Sequence, residues 1–154
     1  MENVLFFETI IQPKGNNIIA IISVLILIII LVGLIILLPA VFYSMRNTSL
    51  SLTNKEIIIK SAIYGKKIPL KNVIIDGIKK INMNEDNEYN ISIRTNGIGL
   101  PNFKLGWMRL KNGKKALVYL TDRNSVVLIP TNEYLILFSM ENIDEFIQKI
   151  KETN

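Results

Sequence analysis

The stretch FKLGWMRLKNGKKALVYLT, residues 103–121, decides the fold of the larger part of this chain. At its centre, Asn112-Gly113 is a strong signal for a two-residue β-hairpin turn. The apolar segments on either side, 103–110 and 115–121, have the length of ordinary strands. We therefore predict two antiparallel strands here, and a domain built mainly of β-sheet around them.

The segments that flank this hairpin also have strand character. Residues 48–53 alternate polar and apolar side chains, and residues 56–64 are rich in β-branched residues, with Asn54-Lys55 as the turn between them. The predicted strands are 48–53, 56–64, 89–94, 103–110, 115–121, 125–129 and 133–139. Residues 71–83 fit a short helical turn followed by a strand, and residues 95–102 fit an irregular loop. The pattern predicts about seven antiparallel strands.

The last predicted element is an amphipathic helix. Its apolar stripe consists of Ile143, Phe146, Ile147 and Ile150, which follow the i, i+3, i+4, i+7 spacing of one helical face. Ser139 is its predicted N-cap. We expect this helix to cover an open end or an edge of a curled sheet and keep it from pairing with neighbouring strands.

A long apolar segment precedes the β domain. Residues 15–45 carry no charged side chain, and most of them are Ile, Leu or Val. A hydrocarbon core of ~30 Å takes about 20 apolar residues to cross, so residues 18–43 are predicted to form a transmembrane helix. The chain then divides into an N-terminal tail at 1–17, the helix at 18–43 and one β domain at 47–154.

The charges around this segment predict whether it is cleaved and how it is oriented in the membrane. A cleavable signal has a positive n-region, whereas two Glu and one Lys precede this apolar run, so we expect an uncleaved anchor. Lys14 stands on the N-terminal side, against Arg46, Lys55 and Lys60 on the C-terminal side. The positive-inside rule then places the C-terminal domain in the cytoplasm, with the chain in the cell membrane. The tail itself is either mobile or a short amphipathic helix in the membrane interface.

The composition excludes several kinds of chemistry. The chain has neither Cys nor His, which removes disulfides, the commonest zinc ligands and every Ser-His or Cys-His nucleophile pair. Residues 84–88 cluster oxygen ligands but lack EF-hand spacing, so we predict a solvated hairpin tip rather than a metal site. Gly97-Ile98-Gly99 lacks the third glycine and the following helix of a nucleotide loop, and Gly97 is predicted to serve a positive-φ turn. We expect no enzyme activity, no cofactor and no metal.

The segment RTNGIGLPNFKLGWMRLKNGKKALVYLTD, residues 94–122, resembles a family of bacterial pleckstrin-homology (PH)-like domains found in small membrane-anchored proteins. The Arg-Thr-x-Gly-x-Gly-x-Pro and Gly-Trp pieces are fairly specific to that family, and IPTNEYLILFS at 129–139 fits as well. The resemblance implies a PH-like seven-stranded antiparallel sandwich or barrel capped by the C-terminal helix. It does not carry over inositol-phosphate recognition, because the turn at 53–55, where such domains have a long basic loop, is short and has one basic residue.

One stretch of the predicted domain is basic and free of acidic residues. Residues 89–121 hold six cationic side chains with Trp107 among them. On a strand, Phe103, Leu105, Trp107, Arg109 and Lys111 would share one face. The candidate ligand- or partner-binding residues are Arg94, Lys104, Trp107, Arg109 and Lys111. The alternative is that Trp107 belongs to the core and the lysines are simply solvated.

These observations favour a binding or scaffold domain held at a membrane by a single span. The expected partner is another protein or a second copy of the chain, reached through exposed strand edges. The alternative is peripheral binding of anionic lipid through the basic stretch 94–115. Nucleic acid is not an expected partner, because the net charge of +5 is modest and single-strand recognition motifs are missing.

Overall fold

The computed structural model describes residues 17–153, and only the backbone of residues 44–46 within that range. The predicted tail up to residue 16, including Lys14, lies outside the described residues. The described residues divide into two units, one ending at Pro39 and the other beginning at Ala40.

The first helix, α1, spans Asn17–Arg46 and contains Pro39 in its C-terminal third. Its segment Asn17–Tyr43 is long and apolar enough to cross a membrane. At ~1.5 Å per residue these 27 residues extend for about 40 Å. Large apolar side chains are exposed along the whole of this segment. The predicted apolar helix is confirmed as a candidate span.

The remaining elements form two β-sheets and one further helix. The first sheet is an antiparallel meander in the order β1-β2-β3, and the second has the order β4-β8-β9-β7-β6-β5. The strands are β1 Ser49–Leu52, β2 Glu56–Lys60, β3 Lys66–Pro69, β4 Lys79–Ile81, β5 Ile91–Leu100, β6 Phe103–Leu110, β7 Lys115–Leu120, β8 Val126–Pro130 and β9 Leu135–Ser139. The second helix, α2, spans Ile143–Glu152. All ladders are antiparallel except the one between β7 and β9, which is parallel.

The six-stranded sheet buries side chains on both faces. On one face, Leu105 and Leu117 belong to a core cluster shared with the three-stranded sheet and with α2. On the other face, Met108 and Val118 belong to a second cluster. The chain between β4 and β5 contributes Met83 and Tyr89 to this second cluster, and Ile91 at the start of β5 packs beside them. Successive residues of β6 and β7 therefore enter different cores, as the two-residue period of a strand requires.

The predicted fold class is confirmed: a mainly β domain, consistent with a PH-like sandwich, with an apolar helix before it and a helix after it. The apolar stripe of α2 packs as predicted, with Ile143, Phe146 and Ile150 buried in the first core cluster. The predicted hairpin between β6 and β7 is present, but its turn is centred on Lys111-Asn112, because the Gly113 N–H donates to the Leu110 carbonyl, and Gly113 follows with a φ of +81°.

The structure has nine strands among the described residues where the pattern predicts about seven. The short strand β3 is additional, because Lys66–Pro69 pairs with β2 although only four residues long. The strand β4 has three residues and joins the sheet through β8; it follows a short helical turn at Ile75–Gly77, as predicted for residues 71–83.

The predicted loop at 95–102 is wrong, because β5 continues to Leu100 and only residues 101–102 turn. Irregularities in register between Ile91 and Ile93 and between Arg94 and Asn96 break the two-residue period that would have revealed the strand. The predicted positive φ at Gly97 is also wrong. A Cβ at Gly97 would lie 2.3 Å from the Leu105 carbonyl oxygen. The missing side chain therefore allows β5 and β6 to approach each other closely at this position.

The predicted N-cap role of Ser139 is wrong as well. The helix α2 begins at Ile143, with Asn142 at the N-cap position and no side-chain cap hydrogen bond. The Ser139 hydroxyl oxygen instead accepts hydrogen bonds from the backbone N–H groups of Thr121 and Asp122 at 3.2 and 3.1 Å. Ser139 therefore holds the turn between β7 and β8.

The close approach of the two strands at Gly97 can be tested with a pair of substitutions. Gly97→Ala should lower the free energy of unfolding by about 1–3 kcal/mol, because the new methyl group overlaps backbone atoms that cannot move away cheaply. Gly99→Ala is the matched control, since its Cβ would meet only the flexible Arg94 side chain, at 3.3 Å, and should change stability by less than about 0.5 kcal/mol. Urea unfolding of the full chain, followed by the fluorescence of its single tryptophan, measures both. Equal effects of the two substitutions would contradict the argument.

Candidate ligand-binding surfaces

The structure separates the five predicted site residues between two faces of the six-stranded sheet. Cross-strand partners share a face. Trp107 is paired with Leu117 of the first core cluster, and Arg109 with Lys115, so these two residues share the first face as predicted. Lys104 is paired with Leu120 and Arg94 with Met108, both of the second cluster.

The fifth predicted residue, Lys111, lies beyond the end of β6. Its backbone N–H donates to the Asn90 carbonyl at 2.8 Å, so it sits beside the chain that leads into β5. The structure therefore brings Trp107 and Arg109 together on one face, and it places Lys104 and Lys111 along a groove associated with the other.

On the first face, Trp107 is enclosed by cations and by another ring. The centroids of Trp107 and Tyr134 are 4.9 Å apart in an edge-to-face arrangement. The Lys115 Nζ lies 4.2 Å from the Trp107 centroid, and the Lys66 Nζ lies 5.0 Å from it and 4.6 Å from that of Tyr134. We call these four residues, Lys66, Trp107, Lys115 and Tyr134, the tryptophan cluster.

The tryptophan cluster joins the two sheets. Lys66 belongs to β3 of the small sheet, whereas Trp107 and Lys115 belong to β6 and β7 of the large one. The indole is half-buried and packs against the first core cluster. Sequence reasoning missed Lys66 and Tyr134, because each is more than 25 residues from Trp107 and only the topology brings them together.

A groove of about 770 Å³ runs along the second face. Its lining includes three cations, one carboxylate, four asparagines and an apolar floor. The lining residues are Met83, Asn84, Asn90, Ile91, Pro101, Asn102, Phe103, Lys104, Lys111, Leu120, Thr121, Asp122, Arg123 and Asn124. We call it the asparagine groove. Its members come from the β4–β5 connection, from the β5–β6, β6–β7 and β7–β8 turns, and from the adjoining ends of β5, β6 and β7.

Hydrogen bonds hold one corner of the asparagine groove. Arg123 donates from its Nη2 to the Asn90 side-chain oxygen at 2.5 Å. Asn84 donates from its Nδ2 to the Asn124 side-chain oxygen at 2.8 Å. The single carboxylate of the lining, that of Asp122, accepts from the backbone and side-chain nitrogens of Asn124 at 2.9 and 3.1 Å. Within residues 17–153, the only ion pair closer than 4 Å joins Lys149 and Glu145, so no carboxylate neutralises the groove cations directly.

Among the described residues, no group of three or more Asp or Glu side chains could hold a metal ion. The oxygens of residues 84–88 instead serve the turn, where the Asp86 carboxylate accepts from the Asn82 backbone N–H at 3.0 Å. The buried Tyr119 donates its hydroxyl to the Tyr64 carbonyl. Burial raises the pKa of Tyr119 well above its usual range, so its phenol stays neutral and is a poor acid or base.

The edge of the six-stranded sheet is a third surface feature. The strand β5 pairs with β6 on one side and ends the sheet on the other. Of the backbone hydrogen bonds outside regular ladders, none involves residues 91–100 within the described chain. From Asn96 to Leu100 the register with β6 is unbroken, and this segment carries no charged side chain. Ile93 is 58% exposed and Leu100 44%.

The family of the chain accords with this architecture. Residues 48–154 match the family model described as a bacterial PH domain. The match covers more than half of the chain, which therefore belongs to the bacterial PH domain family. No curated protein and no solved structure gives a significant match. The resemblance found in the sequence is confirmed.

The tryptophan cluster can be tested by removing one cation at a time. Lys66→Met should lower the free energy of unfolding by about 0.5–1 kcal/mol, the size of a cation–π contact at a partly exposed site, and should shift the emission of Trp107. The control is Lys67→Met on the same strand, because Lys67 is exposed and has no ring contact in the described part of the chain. Indistinguishable emission and stability in the two variants would show that Lys66 contributes nothing to the cluster.

Proposed function

We propose that this chain is a single-pass, membrane-anchored binding module. The helix α1 holds the PH domain at the cell membrane of a bacterium, on the cytoplasmic side, and the domain binds a partner protein or a second copy of the chain. Support comes from an apolar helix of spanning length, membership of the bacterial PH domain family and the exposed strand edge of β5. PH-like domains are generally non-catalytic binding modules, and we propose no catalytic role.

The observation that carries this proposal is the free edge of β5. Natural proteins protect edge strands with charges, bulges or short length. The first half of β5 has such protection, with two register irregularities and Arg94. The second half, from Asn96 to Leu100, is regular and uncharged. An extended segment of another chain can add to such an edge through backbone hydrogen bonds.

Tethering would make a modest edge interaction effective. A membrane anchor confines the domain and its membrane-bound partners to one surface, which raises their effective concentration. Backbone pairing along Asn96–Leu100 supplies the affinity. The exposed side chains of Leu100, within that segment, and of Ile93, three residues before it, supply selectivity.

The proposal predicts position-specific crosslinks. A photoreactive benzoylphenylalanine at Leu100, in the full chain expressed in bacterial membranes, should give adducts upon irradiation. An adduct of twice the chain mass of 17.5 kDa identifies a second copy, and any other defined mass identifies a partner protein. The same probe at Ser51, an exposed residue of the edge strand β1 in the other sheet, is the control.

A substitution separates edge pairing from chance proximity. Ile93→Glu should reduce the Leu100 adducts at least fivefold, because it adds charge and removes exposed apolar surface on β5. Ile63→Glu, at a residue that is 48% exposed in the β2–β3 turn, should leave them unchanged. Equal adduct yields from the Leu100 and Ser51 probes would refute pairing at β5.

Peripheral binding of anionic lipid is the second candidate function. The stretch 94–115 does not form one flat basic surface, because Arg109 and Lys104 lie on opposite faces of the six-stranded sheet. The observation that favours this candidate is narrower: Lys104 and Lys111 line the asparagine groove together with Arg123, and no carboxylate of the described residues lies within ion-pair distance of them.

A further inference from the structure

We infer that the asparagine groove is a binding site for an amphipathic anion, with a phosphate-type head group held by Arg123 and Lys111 and an apolar body lying toward Phe103 and Leu120. This inference rests on the proposed binding role of the domain and names a ligand class for one of its surfaces. It does not depend on the β5 edge, which is a separate feature of the sheet.

The charge of the groove favours an anion. Lys104, Lys111 and Arg123 line it together with a single acidic residue, Asp122. The Asp122 carboxylate already accepts two hydrogen bonds from Asn124 and forms no ion pair in the described chain. The lining therefore carries an excess of two positive charges that a ligand could compensate.

The position of the head group follows from the hydrogen bonds around Asn90. The Asn90 side chain accepts from the Arg123 guanidinium, and the Asn90 carbonyl accepts from the Lys111 backbone N–H. The Arg123 guanidinium and the backbone of Lys111 therefore both contact Asn90, and both residues line the groove. A guanidinium offers several N–H donors in a planar fork, which suits the oxygens of a phosphate group, and an ammonium adds a point charge.

Lys104 occupies a different part of the groove. It stands at the start of β6, whereas Lys111 follows its end, so seven residue steps of ~3.3 Å, about 23 Å along the strand, separate them. The Lys104 Nζ contacts the Leu100 carbonyl at 3.4 Å. We therefore place it outside the head-group corner, beside the body of the ligand.

The floor of the groove favours an apolar body. Met83, Phe103 and Leu120 line it from the edges of the two core clusters, and each is less than 5% exposed. A volume of about 770 Å³ lies within the usual range for small-ligand sites, and it is far larger than an isolated phosphate needs. An elongated groove with two of its three cations assigned to one corner fits a ligand with one charged end.

The other cationic surfaces of the domain are less suited to binding an amphipathic anion. In the tryptophan cluster, Lys66 and Lys115 lie over the indole that a ligand would need to contact. The turn between β1 and β2 is short and carries Lys55 alone. The asparagine groove is the place where a concave shape, uncompensated charge and an apolar floor coincide.

The test is calorimetric titration of the full chain in nanodiscs of phosphatidylcholine, with empty nanodiscs as the blank. The probes are water-soluble dihexanoyl phosphatidic acid, its phosphatidylcholine analogue and inorganic phosphate. We expect saturable binding of the phosphatidic acid, at least tenfold weaker binding of inorganic phosphate, and no binding of the zwitterionic analogue. Phosphate binding as tightly as the lipid would overturn the apolar part of the inference and identify a site for a free anion.

Substitutions distinguish binding at the corner formed by Arg123 and Lys111 from a general effect of positive charge. Arg123→Gln and Lys111→Gln should each weaken phosphatidic acid binding at least tenfold, whereas Lys104→Gln should weaken it no more than threefold. Lys67→Gln, outside the groove, should leave it unchanged. Thermal unfolding followed by Trp107 emission confirms that each variant is folded. Absence of binding, or equal losses in all four variants, overturns the inference, and neither result bears on the β5 crosslinks.

Discussion

The six-stranded sheet has to bury both of its faces, and this requirement organises the rest of the domain. At the middle of β6 and β7, neighbouring residues such as Leu117 and Val118 enter opposite cores. A single sheet cannot cover itself, so each face needs its own cover. The small sheet and α2 cover one face, and the connection between β4 and β5 covers the other. Loss of either cover would expose a continuous apolar surface.

The same requirement decides where the basic residues can lie. Charged side chains are excluded from the middle of β6 and β7 because both faces are apolar there. Lys104 and Arg109 therefore stand toward opposite ends of β6, and alternation sends them to opposite faces. A stretch that is uniformly basic in sequence thus becomes two surfaces of different character. On one surface, cations lie over aromatic rings. The other surface is concave and has an apolar floor.

Features with local signals could be predicted from the sequence. The hairpin between β6 and β7 and the apolar stripe of α2 depend on residues a few positions apart, and both are present, although the hairpin turn is centred one residue earlier than Asn112-Gly113. The length of β5 could not be predicted, because its irregular register removes the two-residue period. Lys66 and Arg123 could not be assigned to the candidate surfaces, because the topology brings them there from distant segments and neither has a motif of its own.

The parallel pairing of β7 with β9 has a consequence for how the domain forms. The strand β9 lies between β7 and β8, so the penultimate element of the chain fills a central position of the sheet. Until it is in place, β7 and β8 each present an unpaired central edge, and the hairpin of β6 and β7 has only β5 beside it. Pairing of this kind is non-local, and its loop-closure entropy makes folding slow. The domain is therefore exposed to premature pairing with other chains for as long as β9 is absent from the sheet.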